Sequence, residues 1–231
     1  MNRNAFGKKT SPVVVDGSFD KSCELNVSRQ SLAALKHGKL KVRIKKAGGK
    51  TAISRLKVTI GCVSGSINIA VGDDDSSVEF SEGSSGVYDL RLWRNSKIEI
   101  GRNTTSNGVK VVCDNSEFIC GEDCMFSDSI LVQTADQHGI VDVGSGLIIN
   151  DKYKSVRLGD HVWLGRQCTL TANARIGKGS VIGTGAIVTG KIPEKVIAVG
   201  APARVIKENH TWCRSPISLD IFSKKYIEES C

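Results

Sequence analysis

An aliphatic residue occupies every sixth position through the last third of the chain. The positions are Leu158, Leu164, Leu170, Ile176, Ile182 and Val188. In an α-helix, residues six apart point about 120° away from each other, so no single helix face would collect them. A chain that runs as short strands and turns a corner after each hexad would point them all into one interior. The repeat therefore predicts a triangular β-helix with about 18 residues in each coil.

The residues between the aliphatic positions fit the corners of such a coil. Glycine follows four of the six, at 159, 165, 177 and 183, where it removes a Cβ as the backbone bends. Parallel coils stack about 4.8 Å apart, so residues 18 apart should lie directly over one another. We expect Leu158 to stack on Ile176, and Leu164 on Ile182.

A looser form of the pattern extends upstream and sets the expected boundaries of the β-helix. Aliphatic pairs followed by glycine occur at 67–72 and 98–101. The six-residue register is lost after His138, which predicts an inserted loop at 139–155. We predict an all-β fold in which residues 57–206 form about seven coils of a parallel β-helix.

The two ends of the chain are predicted to cover the open ends of the solenoid. Residues 1–56 should contain a short helix from Ser28 to His37 and an edge strand in which Leu40–Lys45 alternates apolar and basic side chains. Residues 207–231 should form a helical tail that opens at Ser215-Pro216.

The net charge of +8 is concentrated in one segment. Residues 36–57 contain nine Lys or Arg and no acidic residue, whereas the rest of the chain has 23 basic and 24 acidic side chains. A nucleic-acid partner is therefore not expected. Outward lysines would protect an edge strand from unwanted pairing, although an acidic partner for this segment is the alternative. Because no apolar run has the length of a membrane span or a signal peptide, we expect no transmembrane segment and a cytoplasmic protein.

The eight cysteines contain no Cys-x-x-Cys pair. Cys124 and Cys168 occupy positions where the repeat needs a small side chain. We therefore interpret the cysteines as buried hydrophobic residues, and we expect no metal site.

Several sequence blocks, taken in order over residues 98–212, resemble the hexapeptide-repeat acyltransferases. Within that family they resemble the coenzyme-A-dependent O-acetyltransferases of bacterial cell-surface polysaccharides and small sugars. The blocks are Cys124–Ser127, Thr134–His138 followed by Asp142, Ile149–Asn150, Leu158–Gly165 and Val199–Lys207. The resemblance implies a left-handed β-helix, a homotrimer with active sites between subunits, acetyl-CoA as a substrate, and a saccharide acceptor in a capsule or lipopolysaccharide.

The resemblance also implies which residues carry out the chemistry. Deprotonating a sugar hydroxyl requires a base that titrates near neutral pH, and imidazole meets this requirement. By resemblance the base is His138, with Asp136 or Asp142 orienting its ring. Trp163 would border the cleft, with packing against a neighbouring subunit as its alternative role. His161 is expected to be solvated and structural.

The residues implied for coenzyme A lie in the C-terminal coils. They are Trp163, Gly165, Arg166, Thr184, Thr189, Gly190, Arg204 and Lys207. Arg204 and Lys207 suit phosphate groups. The family commonly has lysine where this chain has Gly190, so one expected cation is missing.

Other functions fit the sequence less well. A phosphate-binding loop and a Gly-x-Ser-x-Gly elbow are absent from the sequence, and a zinc-dependent carbonic anhydrase would need three histidine ligands, whereas the repeat region contains two histidines. An N-acyltransferase for a nucleotide-linked amino sugar and a non-catalytic binding scaffold remain as alternatives.

Overall fold

The computed structural model describes residues 12–228, which form a parallel β-helix with three faces. Face 1 is an eight-stranded sheet. Its strands are β2 (Glu24–Val27), β4 (Lys57–Ile60), β6 (Ser77–Phe80), β8 (Lys97–Ile100), β10 (Ser116–Cys120), β13 (Lys154–Leu158), β16 (Arg175–Ile176) and β19 (Lys191–Ile192).

Faces 2 and 3 belong to one continuous 13-stranded sheet. The strands of face 2 are β1 (Val14–Asp16), β3 (Leu40–Lys46), β5 (Ser64–Val71), β7 (Ser85–Leu92), β9 (Thr105–Cys113), β11 (Met125–Phe126), β14 (Trp163–Leu164), β17 (Val181–Ile182), β20 (Val196–Val199) and β21 (Arg204–Glu208). The strands of face 3 are β12 (Ile130–Gln133), β15 (Thr169–Leu170) and β18 (Ile187–Val188). Strand β9 pairs with β11 through its first residues and with β12 through its later ones, so it bends across both faces.

The C-terminal coils match the hexad prediction. Leu158 pairs with Ile176 and Leu164 pairs with Ile182, each 18 residues ahead, as the repeat predicts. All six aliphatic hexad positions are buried in the core. Each face of these coils is a strand of two residues, because the corner turns use the rest of the hexad.

The N-terminal coils are built differently, which corrects the prediction of hexads there. Register partners on face 1 are 20 residues apart, as for Lys57 and Ser77, and partners on face 2 are 20 or 21 apart. Strands β5, β7 and β9 have eight or nine residues. The expected number of coils nevertheless holds, since seven strands of face 1 lie between residues 57 and 192.

The predicted edge strand is wrong. Strand β3 pairs with β1 on one side and β5 on the other, both in parallel, so its exposed lysines do not protect an edge. Strand β2 likewise pairs with β4, and the β-helix continues upstream of residue 57 without a break in its sheets. Helix α1 (Arg29–Lys36) has Ser28 as its N-cap, close to the predicted bounds, and buries Ala34 and Leu35 in the core.

The insertion leaves the β-helix between β12 and β13. Strand β13 begins at Lys154, two residues before the predicted end of the loop. An antiparallel bridge between Val141 and Ile148 closes the loop on itself. At the C-terminus, helix α2 (Ile221–Glu228) begins six residues after Ser215. No helix in the described range 12–228 is long and apolar enough to cross a membrane.

Candidate active site

His138 lies at the edge between faces 3 and 1, where the inserted loop leaves the β-helix. We call this the 3–1 edge. The residue is exposed and does not continue the buried positions of the repeat. Its backbone carbonyl accepts a hydrogen bond from Asn150 Nδ2 at 2.9 Å. The imidazole itself makes no hydrogen bond to any residue between 12 and 228, so both ring nitrogens face solvent.

The loop returns to the same edge and closes a small cavity over His138. Asn150 fixes this return, because its Oδ1 accepts from the Ile140 N–H at 2.8 Å and its Nδ2 donates to Asp136 at 3.1 Å. The cavity has a volume of about 170 Å³. Its polar lining includes Arg94, Asp114, Asp136, His138, Asn150 and Lys152. The base candidate is therefore placed beside a recess with several hydrogen-bonding groups.

Neither candidate carboxylate contacts the His138 ring within one chain. Asp136 accepts from Lys154 Nζ at 2.7 Å, and this contact, followed by the one from Asn150, lowers the pKa of Asp136. Asp142 accepts from both the hydroxyl and the N–H of Ser145 at 2.7 Å, and the hydroxyl contact is the main reason that its pKa is lowered. Asp136 lines the cavity, whereas Asp142 organises the loop turn.

Trp163 lies on face 2, at the start of β14, and does not line the His138 cavity. Its indole Nε1 donates to Ser127 Oγ at 3.2 Å. The ring centroid is 6.2 Å from that of Trp212, with the two planes tilted by 50°. One chain therefore does not bring Trp163 and His138 together.

The residues implied for coenzyme A divide between two edges of face 3. Gly165, Arg166 and Thr184 form the edge between faces 2 and 3, which we call the 2–3 edge. A Cβ on Gly165 would lie 2.8 Å from the Thr184 nitrogen, so this corner is tight. Arg166 and Thr184 are exposed, and Arg166 pairs with Asp128 at 2.8 Å.

The remaining implied residues lie elsewhere. Thr189 and Gly190 follow β18 on the 3–1 edge, two coils from His138, and both are exposed. A Cβ on Gly190 would meet no atom within 4 Å. Arg204 and Lys207 are exposed on β21, which extends face 2. Face 3 thus separates the base candidate from most of the residues that the resemblance implies for the donor.

His161 is the main surprise, because it was expected to be solvated and is fully buried. It lies at a corner with a left-handed φ of 55°, and its ring does point out of the prism, but the tail covers it. The ring is stacked between Trp212 and Tyr226, with centroids 4.2 and 4.3 Å away. The aromatic tail residues show no spacing that would have revealed this contact in the sequence.

A network of hydrogen bonds fixes His161 in place. Its Nδ1 lies 2.7 Å from Asp123 Oδ2, and its Nε2 lies 3.0 Å from the Trp212 carbonyl oxygen. Both contacts are satisfied when each ring nitrogen carries a proton. Arg214 of the tail also donates to Asp123, at 2.8 Å from its other oxygen. These residues join the tail to the coils and leave no free nitrogen for catalysis.

The cysteines offer no nucleophile in the described range. Cys124 and Cys168 are fully buried. Burial raises the pKa of Cys168 to about 11 and that of Cys124 well above its usual range, so both stay as thiols near neutral pH. Within residues 12–228, no three His, Cys, Asp or Glu side chains are grouped closely enough to hold a metal ion.

Comparison with known proteins agrees with this geometry. The family model for the bacterial transferase hexapeptide, six repeats, matches residues 155–190. The crystal structure of the polySia-specific acetyltransferase NeuO superimposes with a TM-score of 0.75 and 26% identity, over 94% of both chains. This chain is a hexapeptide-repeat protein. The predicted left-handed parallel β-helix and the resemblance to the acyltransferases of this family are confirmed.

Two characterised relatives of this hexapeptide-repeat chain are O-acetyltransferases. The polysialic acid O-acetyltransferase of Escherichia coli O1:K1 is 36% identical over 128 residues, which cover 55% of this chain and 41% of the relative. The galactoside O-acetyltransferase of Escherichia coli K12 is 32% identical over 115 residues, which cover 49% and 55%. The chain thus spans about half the length of these relatives.

Proposed function

We propose that this chain is an acetyl-CoA-dependent O-acetyltransferase that acetylates a hydroxyl of a saccharide in a capsule or lipopolysaccharide. The observation that supports this most is His138, whose imidazole is exposed and unpaired within the described residues and lies beside a polar cavity. The relatives named as O-acetyltransferases support the same reaction. With acetyl-CoA as the donor, the reaction would take place in the cytoplasm.

In this proposal His138 acts as general base and then as general acid. It accepts the proton of the sugar hydroxyl while the hydroxyl oxygen bonds to the carbonyl carbon of the acetyl group. The carbon–sulfur bond then breaks, and the proton passes from the imidazolium to the departing thiolate. Free ring nitrogens suit this exchange, because a nitrogen engaged within the chain would have to leave its partner first. Asp136 is the better placed of the two carboxylates to act on the ring, because it lines the same cavity.

We propose a homotrimer whose active site is completed by a second copy. His138 and Gly190 lie on the 3–1 edge, whereas Trp163 and Gly165 lie on face 2 and the 2–3 edge. A second copy that presents its 2–3 edge to the 3–1 edge of the first would unite them. The loop supports this arrangement, because its apolar side chains are exposed in one chain. They are Ile140, Val143, Leu147 and Ile149.

The donor is proposed to lie along the 2–3 edge and β21. Arg204 and Lys207 are exposed cations that fit phosphate groups, and Arg166 has a carboxylate partner, Asp128, that an anion would have to compete with. Gly190 supplies no cation, which reduces the expected phosphate affinity. Replacement of Gly190 by lysine is sterically possible, since the space around it is open.

The test of this proposal is thiol release from acetyl-CoA in the presence of a panel of bacterial glycans. Purified protein should release coenzyme A with at least one glycan, and His138→Ala should lower kcat about 100- to 10,000-fold while keeping its oligomeric mass. His37→Ala is the matched control, because His37 is also exposed but lies at the C-cap of α1. Turnover by His138→Ala at the wild-type rate would remove His138 from its role.

A further inference from the structure

Face 1 carries three basic side chains in register on its last three strands. Arg157 in β13 lies opposite Arg175 in β16, and Arg175 lies opposite Lys191 in β19. Neighbouring strands are about 4.8 Å apart, so these charges span about 10 Å along the helix axis. Like charges placed directly opposite each other destabilise a sheet. We call these three residues the cation column.

Acidic partners neutralise only one end of the cation column. Arg157 forms an ion pair with Glu117. Arg175 and Lys191 are exposed, and neither forms a salt bridge with an acidic side chain among the described residues. Glu194 is nearby, but it does not come within 4.0 Å of either cation. The column therefore retains two uncompensated positive charges in a fixed geometry.

An open cavity of about 750 Å³ lies along the cation column. Beside the three cations, its lining includes the aliphatic surface of Ile119, Ile176, Ile192 and Pro193. Sugar rings present apolar C–H faces together with polar substituents. A chain of sugars bearing carboxylates would match both parts of this lining, whereas a compact inorganic anion would use the charges alone.

The cation column also lies close to the candidate base. Strand β13 begins at Lys154, which holds Asp136 in the His138 cavity. Arg157 is three residues further along the same strand, or about 10 Å at the rise of a β-strand. A polymer that follows the column across face 1 therefore reaches the 3–1 edge within a few sugar units.

We infer that the cation column binds the carboxylates of an acidic polysaccharide, so that a hydroxyl further along the same polymer reaches His138. The inference rests on the proposed function and adds the charge of its acceptor. Carboxylates on successive sugars would remove the repulsion between Arg175 and Lys191. A neutral saccharide would leave that repulsion in place.

The test compares two variants of equal net charge. Arg175→Gln/Lys191→Gln removes the uncompensated cations of the column. Lys41→Gln/Lys45→Gln is the matched control, because it removes two exposed cations from strand β3, far from the column. Binding of fluorescently labelled polysialic acid and polygalacturonate is measured without acetyl-CoA, with dextran as the neutral polymer. The column variant should bind both acidic polymers about tenfold more weakly, and the control less than about twofold, since exposed charge pairs each contribute modestly.

Three results would overturn the inference. The first is wild-type affinity in the column variant. The second is an equal loss in both variants, which would mean diffuse attraction or binding by the basic N-terminal segment. The third is displacement of the polymer by saturating coenzyme A, which would assign the column to the phosphates of the donor. Because no turnover is needed, a lack of acetyl transfer would refute the proposed function while the binding result could still be obtained.

Discussion

The N-terminal coils of this β-helix are longer than its C-terminal coils. Register partners are 20 residues apart between β6 and β8, but 18 apart between β14 and β17. The longer coils use strands of up to nine residues that bend across faces 2 and 3, where the shorter coils use two separate strands. The same solenoid is therefore built in two sizes.

The interior reflects the difference in coil length. Tyr88, Phe80, Phe118 and Phe126 are the largest fully buried side chains, and all lie in the longer coils. Phe80 and Tyr88 pack edge to face with centroids 4.9 Å apart. The shorter coils are filled by the aliphatic hexad residues. A longer coil encloses more space, and close packing of the interior then requires larger side chains.

Corner glycines should show that one feature is common to both coil sizes. A Cβ on Gly101, in a longer coil, would lie 2.2 Å from the Gly121 oxygen, and one on Gly177, in a shorter coil, 2.3 Å from the Glu194 nitrogen. Because backbone atoms cannot yield locally, we expect alanine at either site to lower the free energy of unfolding by about 3 kcal/mol. Urea denaturation would measure this.

Gly190→Ala is the control for both glycine variants. The space around this glycine is open, so the free energy of unfolding should change by no more than about 0.5 kcal/mol. Tolerance of alanine at Gly177 but not at Gly101 would mean that the shorter coils have looser corners than the structure indicates.

A reciprocal exchange at the junction should separate the two interiors. Phe126 in the last longer coil pairs directly with Leu164 in the first shorter one. Leu164→Phe should overpack the shorter coil and cost about 2 kcal/mol, whereas Phe126→Leu should leave a small cavity and cost about 1 kcal/mol. Thermal and urea unfolding of both variants measure the difference. A neutral Leu164→Phe would contradict the view that the shorter coils have no spare volume.

The tail should stabilise the junction between the two coil sizes to a smaller extent. Asp123 belongs to a longer coil and His161 to a shorter one, and Arg214 and Trp212 bind them from the tail. We expect Arg214→Ala to reduce hydrogen-exchange protection of residues 212–228 about tenfold, because one charged contact to a buried carboxylate is lost. Unchanged protection would show that the aromatic stack alone holds the tail.

The difference between the coils also explains what the sequence could predict. In the shorter coils each corner has a fixed number of residues, so the aliphatic spacing is strict and even the pairing of Leu158 with Ile176 was predictable. In the longer coils an extra residue or two at the corners breaks the six-residue period. The alternation of single strands remained visible there, but their number per coil did not.

The candidate site was only partly predictable for a related reason. The loss of register at His138 marks the edge where the loop leaves, and an unpaired ring is found there. The burial of His161 was missed because its covering residues, Trp212 and Tyr226, are about 50 and 65 positions away and follow no repeat. The basic residues of the cation column are likewise brought together by coil stacking and not by closeness in sequence.

The most direct test of the proposed shared active site mixes two inactive variants. His138→Ala impairs the 3–1 edge and Trp163→Ala the opposing surface, so each homotrimer should have low activity. After denaturation and refolding together in equal amounts, random assembly would pair an intact His138 with an intact Trp163 of another copy in about a quarter of the clefts. The account predicts recovery of about a quarter of the wild-type thiol release. No recovery above the separate variants, with trimers formed, would contradict it.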